Sequence, residues 1–128
     1  MPAATPFDLV TAVLDAARES GGSAIYKLGR PTTGNPKVFV ATFEGDTFEL
    51  WAYMWTLTHG GRTSLPDEFR IQMTSVSSPL NLNPDGPTVL LGYHPDYNVF
   101  AGFDMRIHWS FTQGSPSVQV PLSTLLEA

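Results

Sequence analysis

A chain of 128 residues with 12 Asp and Glu against 7 Lys and Arg carries a net charge of −5. That balance argues against a domain that grips a phosphate backbone along its whole length, although uneven charge leaves room for a local site. With no cysteine, disulfides, thiolate metal sites and a thiol nucleophile are excluded.

The length predicts a single domain over residues 1–128, burying roughly two-thirds of its unfolded surface. No apolar run approaches the roughly 18 residues that would cross a membrane. The opening MPAATPFDLV has neither a basic start nor an unbroken apolar stretch, so no signal peptide and a cytoplasmic location are expected.

In chain order, Thr5-Pro6-Phe7-Asp8 reads as a helix start. Thr5 can cap, Pro6 fits the first helical position, and Asp8 completes a capping box. Phe7, Val10, Leu14 and Ala17, with Val13 beside them, recur at helical spacing, and Gly21-Gly22 ends the pattern. One amphipathic helix of about 14 residues follows. Residues 23–28 read as a short strand and 29–36, GRPTTGNP, as a loop. Residues 37–43 (KVFVATF) form a strand, turned at Gly45-Asp46 into the next.

Residues 47–58 are apolar on both faces. Phe48, Leu50, Ala52 and Met54 lie on one, and Trp51, Tyr53, Trp55 and Leu57 on the other. Such a strand belongs at the centre of a sheet, with a helix on one face and a second layer or partner on the other. Residues 68–74 alternate, with Phe69, Ile71 and Met73 opposite Glu68, Arg70, Gln72 and Thr74. Residues 75–87 make a Pro- and Asn-rich loop long enough to suspect a functional or mobile role. Residues 88–93 and 98–104 form a second hairpin across His94-Pro95-Asp96-Tyr97. Residues 105–111 are a further strand or an excursion, 117–120 a short strand, and 121–127 a short terminal helix opened by Pro121. The predicted class is α+β: a curved mixed or antiparallel sheet of about six or seven strands, an N-terminal amphipathic helix and a short C-terminal helix.

Three groups of residues could carry chemistry. His59-Gly60-Gly61-Arg62 follows the central strand; the glycines allow close backbone approach, their N–H groups can cradle an anion, and Arg62 adds a positive charge. An ordinary Gly-rich turn is the plainer reading. Arg70 and Gln72 project from one strand face, and Arg with guanine and Gln with adenine are the pairings that read base edges. A solvated strand face, with Glu68 pairing Arg70, is the plainer alternative. Among the aromatic residues, Trp55 and Tyr93 are candidates for stacking on a flat base, although burial is the commoner role of such rings.

The three histidines, His59, His94 and His108, have no metal-ligand spacing. Motifs of serine hydrolases, P-loops and dinucleotide folds are missing. Neither Lys27 nor Lys37 has the carboxylate two positions earlier that a D…(D/E)-x-K nuclease needs. No catalytic centre, cofactor or metal is expected in this chain.

Trp55-x-x-Thr58-His59-Gly60-Gly61, then Asp67-Glu68-Phe69-Arg70-Ile71-Gln72, then Leu90-Leu91-Gly92-Tyr93-x-x-x-x-Asn98-Val99-Phe100-Ala101-Gly102-Phe103-Asp104, together resemble a domain found at the N-terminus of bacterial restriction endonucleases. There it is fused to HNH-type or other nuclease modules. The resemblance runs over about residues 50–120 and includes Ser115-Pro116-Ser117-Val118-Gln119-Val120. It implies a non-catalytic recognition domain for DNA, modified DNA included, in a restriction or antiviral defence system. Cutting would then belong to a nuclease domain fused or in trans.

On that reading His59, Arg62, Arg70, Gln72 and Arg106 contact phosphates and base edges, Gly60 and Gly61 allow the approach, and Trp55 or Tyr93 stacks. A small-molecule or nucleotide-binding module using the same turn, and a protein–protein interaction domain using exposed sheet edges, are the alternatives.

Overall fold

The computed structural model describes residues 5–59, 68–74, 76, 78–105, 109–110 and 117–121. Helix α1 (Pro6–Glu19) starts as its sequence dictates. The Asp8 amide donates to Thr5 Oγ1 at 3.1 Å and the Thr5 amide to Asp8 Oδ2 at 3.0 Å, closing the capping box. At its other end Gly21 takes φ +86°, and the Gly22 and Gly21 amides donate back to the Ala17 and Arg18 carbonyls. That Schellman closure satisfies carbonyls the helix leaves open.

The buried stripe is Leu9, Val10 and Val13, each worth about 1.5–3 kcal/mol when fully removed from water. Phe7, predicted on that stripe, is instead 69% exposed. The first turn borders an open groove, lined by Pro6 and Leu9, rather than the closed surface of the sheet.

The chain then builds a five-stranded sheet in the order β1-β2-β3-β6-β7, from β1 (Ser23–Tyr26), β2 (Lys37–Phe43), β3 (Asp46–Thr56), β6 (Thr88–His94) and β7 (Val99–Phe103). A three-stranded sheet, β4-β5-β8, comes from β4 (Thr58–His59), β5 (Glu68–Gln72) and β8 (Ser117–Pro121). Every neighbour pair is antiparallel except β3 and β6, which run parallel from Trp51↔Thr88 to Thr56↔Tyr93. The sheet is therefore mixed, and the segment between its two parallel neighbours carries β4 and β5.

The β2–β3 hairpin turns at Glu44-Gly45, one residue earlier than predicted. Phe43 pairs with Asp46, and both loop residues have positive φ, 51° and 86°. This is the type I′ geometry whose twist suits a two-residue hairpin.

β3 is central, as its two apolar faces require. Leu50, Ala52 and Met54 pack with Leu9, Val10, Val13, Phe39 and Tyr93 on the helix side. Tyr53, Trp55 and Leu57 pack on the other side with Phe69, Ile71, Met73, Leu80, Leu90 and Val120. The strand changes sheets at Leu57, whose amide still donates to the Tyr93 carbonyl at 2.8 Å, while Thr58 and His59 pair with Arg70 and Phe69. Gly92 makes room for this crossing. A Cβ there would lie 2.8 Å from Leu57 Cδ2 and 2.8 Å from Ile71 Cγ2.

The loop of residues 78–87 is tied to the sheet. Tyr53 Oη donates to the Asn81 carbonyl (2.9 Å), Asn83 Nδ2 to the Glu49 carbonyl (2.8 Å), and the Asn83 amide to Thr88 Oγ1 (2.8 Å). Its described part serves as a strap on the core. Trp109 belongs to the excursion rather than to a strand: its amide donates to the Met105 carbonyl and its own carbonyl accepts from the Leu80 amide. Pro121, predicted to open a helix, is the last residue of β8, paired in register with Glu68 on an outer strand, where a missing N–H is tolerated. The remainder of that predicted helix lies outside the described residues.

Candidate nucleic-acid interface

The small sheet has two chemically distinct faces, because successive strand residues alternate. Phe69, Ile71 and Val120 face the core. Thr58, Arg70 and Gln119 sit side by side across the three strands, with Glu68 and Gln72 flanking Arg70 on the same face of β5. Thr58, Gln72 and Gln119 are exposed, while Glu68 and Arg70 are half-buried. Arg70 Nε is buried and has no hydrogen-bond partner among the described residues. An unmet donor of this kind costs about 1–3 kcal/mol, a cost that an arriving acceptor removes.

His59, at the end of β4, is exposed and meets the Phe69 ring edge-on at 6.0 Å. Phe69 in turn lies 4.7 Å from His94, which is also 4.7 Å from Tyr97. His94 is 2% exposed, with Nδ1 buried and unpartnered among the described residues.

Beside this polar face runs a groove of about 450 Å³. It opens where β2 stops short of the end of β3. Pro6, Leu9, Asn35 and Lys37 come from the N-terminal part of the chain, and Trp55, Thr58, Gln72 and Thr74 from β3, β4, the end of β5 and the stretch just after it. Asn35 continues β2 by side-chain chemistry: its Oδ1 accepts from the Met54 amide (2.9 Å) and its Nδ2 donates to the Met54 carbonyl (3.1 Å).

Lys37 is 2% exposed, its Nζ donating to the Thr32 carbonyl at 2.8 Å and the Gly34 carbonyl at 3.0 Å. Burial holds its pKa below the ordinary lysine value, since desolvation penalises the ammonium form. The Trp55 indole lies nearly parallel to the Tyr53 ring, 6.5 Å away, so one side is backed by the core.

A second hollow, of about 300 Å³, lies between α1 and the β6–β7 turn. Asp15 and Glu19 give it the opposite character.

The structure thus brings Trp55 and Gln72 together in one groove, places Arg70 next to Gln72, and puts His59 on the adjoining strand. Tyr93 is set apart from them. It is buried against α1, and its hydroxyl donates to Asn98 Oδ1 at 2.6 Å. Burial, with Asp8 and Asp15 nearby, holds its pKa up. Gly60, Gly61, Arg62 and Arg106 lie outside the described residues. Among the described residues no cluster of three or more His, Cys, Asp or Glu could hold a metal ion, and no helix is long and apolar enough to cross a membrane.

Sequence reasoning passed over Asn35, Lys37 and Thr58. The signal for Lys37 was present: it shares strand parity with Phe39 and Ala41, both buried, and a lysine on an inward-facing row is unusual.

Residues 48–128, well over half of the chain, match the methylase-associated X1 family. No curated protein and no solved structure matches. The matched stretch begins inside β3 and takes in every later strand, including the whole polar face of the small sheet.

Proposed function

Since the chain belongs to the methylase-associated X1 family, we propose that it is a non-catalytic reader of DNA in a restriction–modification system. Membership points to an accessory domain in that setting; recognition of DNA, modified bases included, is the role we infer for it. On this reading a methylase or nuclease module, fused or in trans, performs the chemistry, and the cytoplasm is where it meets its target.

The observation that carries the reading is the outer face of the small sheet. Arg70 and Gln72 project in parallel beside Thr58 and Gln119, and Arg70 Nε is a buried donor without a partner among the described residues. Arg and Gln are the side chains that address purine edges bidentately, and a rigid strand holds them two residues apart. His59 pairs with Phe69 and so projects from the opposite face of the sheet; its part in the interface rests on sequence grounds. Arg62 and Arg106 are assigned to phosphate contacts on sequence grounds alone, with Gly60 and Gly61 giving access.

The test is fluorescence anisotropy of labelled duplexes, unmodified and modified, titrated with the chain. Arg70→Ala should weaken binding to the preferred duplex by about 1–3 kcal/mol and relax its preference. Unchanged affinity in that variant would remove Arg70 from the interface, and no binding of any duplex at low salt would end the DNA reading.

A further inference from the structure

The groove beside Arg70 and Gln72 has a chemical character unlike the rest of the chain. In a protein with 12 acidic residues, no Asp or Glu is among the described residues that line it, and Lys37 is the one charged residue among them. Neither described ion pair, Arg18 with Asp15 or Lys27 with Glu49, involves Lys37. Its ammonium meets two neutral carbonyls instead. A buried charge without a counter-charge is costly, and an anion brought into the groove offsets that cost.

The other lining groups suit a flat polar molecule. Trp55 offers an indole backed by Tyr53, Gln72 an exposed amide, and Thr58 and Thr74 exposed hydroxyls. A volume of about 450 Å³ falls in the range of small-ligand pockets, typically about 300–1,000 Å³. The scarcity of cations elsewhere disfavours tracking many phosphates, so recognition concentrated on one unit fits the charge better than a strand-long footprint.

We propose that this groove holds a single nucleotide, with the base against Trp55 and Gln72 and the phosphate drawn to Lys37. This deepens the DNA reading by naming the unit that is read: a base turned out of the duplex, which must be unstacked before a pocket can enclose it. A free nucleotide presents the same chemistry, and the experiment separates the two sources.

The first arm titrates the intact chain with nucleoside 5′-monophosphates and the matching nucleosides, following the Trp55 indole and Gln72 side-chain amide signals by NMR. Saturable shifts at both residues are expected, with the monophosphate bound about tenfold or more tighter than the nucleoside, as a charge-assisted contact supplies. Lys37→Met should collapse that ratio. Gln72→Glu, at an exposed position that does not threaten folding, should weaken the monophosphate about tenfold by placing a like charge in the groove. No shift at Trp55 and Gln72 with any monophosphate, or an unaltered affinity in Gln72→Glu, overturns the proposal.

The second arm binds a duplex carrying a mismatched 2-aminopurine. A rise in its fluorescence on binding supports an extruded base. Duplex binding with neither that rise nor nucleotide shifts sinks the groove while leaving the DNA reader standing. Nucleotide shifts without duplex binding keep the groove and sink the DNA reading.

Discussion

At the scale of single residues, two charges, the half-buried Glu49 and the buried Lys37, act on stability in opposite directions. The Glu49 carboxylate accepts from Lys27 Nζ and, at 2.9 Å, from Trp51 Nε1. These donors hold its pKa below the usual carboxylate range. A depressed acid stabilises the fold above its unfolded pKa, and that contribution is lost as pH falls through the folded value. Glu49→Gln should therefore be less stable than the parent at neutral pH, and the gap should close as the pH drops below the carboxylate range. Urea denaturation at a series of pH values checks this; a gap that stays constant into acid would refute it. Lys37 has the opposite sign. Its folded pKa is lowered, so the unfolded chain binds the extra proton, and stability rises as pH climbs from the folded value toward the ordinary lysine value. The pairing of Arg70 with Gln72 was legible because strand residues two apart share a face. Burial of the Lys37 ammonium was harder to read, because the loop carbonyls that receive it depend on the fold of residues 32–34.

At the scale of elements, β3 was legible because both of its faces are apolar, and α1 because cap, stripe and stop agree. The division of the long strand into β3 and β4 was not. The residues from Thr56 to Thr58 carry no turn signal, and the break comes from β6, where Gly92 lets Leu57 and Ile71 settle against the backbone. Gly92→Ala tests this directly. The new methyl group would meet two fully buried side chains at under 3.0 Å, and overpacking of this kind costs about 1–3 kcal/mol. Chemical denaturation measures the loss; a variant as stable as the parent would mean the two sheets do not depend on that contact. The β2–β3 turn was placed one residue late because Glu44 gives no hint that it will adopt φ +51°.

At the scale of the whole molecule, the α+β class was readable from the order of elements, but the parallel pairing of β3 with β6 was not. Which strands become neighbours is decided by how β4, β5 and the strap of residues 78–87 pack on the core, not by the pattern within either strand. The overall charge of −5 carries its own prediction for binding. If a few side chains read the target and few phosphates are neutralised, the slope of log affinity against log salt should be about −1 to −3, near −0.9 per phosphate contacted. A slope of about −6 or steeper in the anisotropy titration would instead mark backbone tracking and move the interface off the small sheet. One further consequence lies in how the groove is assembled. Trp55, Thr58, Gln72 and Thr74 fall within the stretch that matches the family, whereas Pro6, Leu9, Asn35 and Lys37 fall before it. A nucleotide in the groove would therefore straddle that boundary, its base on residues inside the matched stretch and its phosphate on Lys37 before it. Exchange of the leading segment would then alter how tightly the unit is held more than which base is chosen.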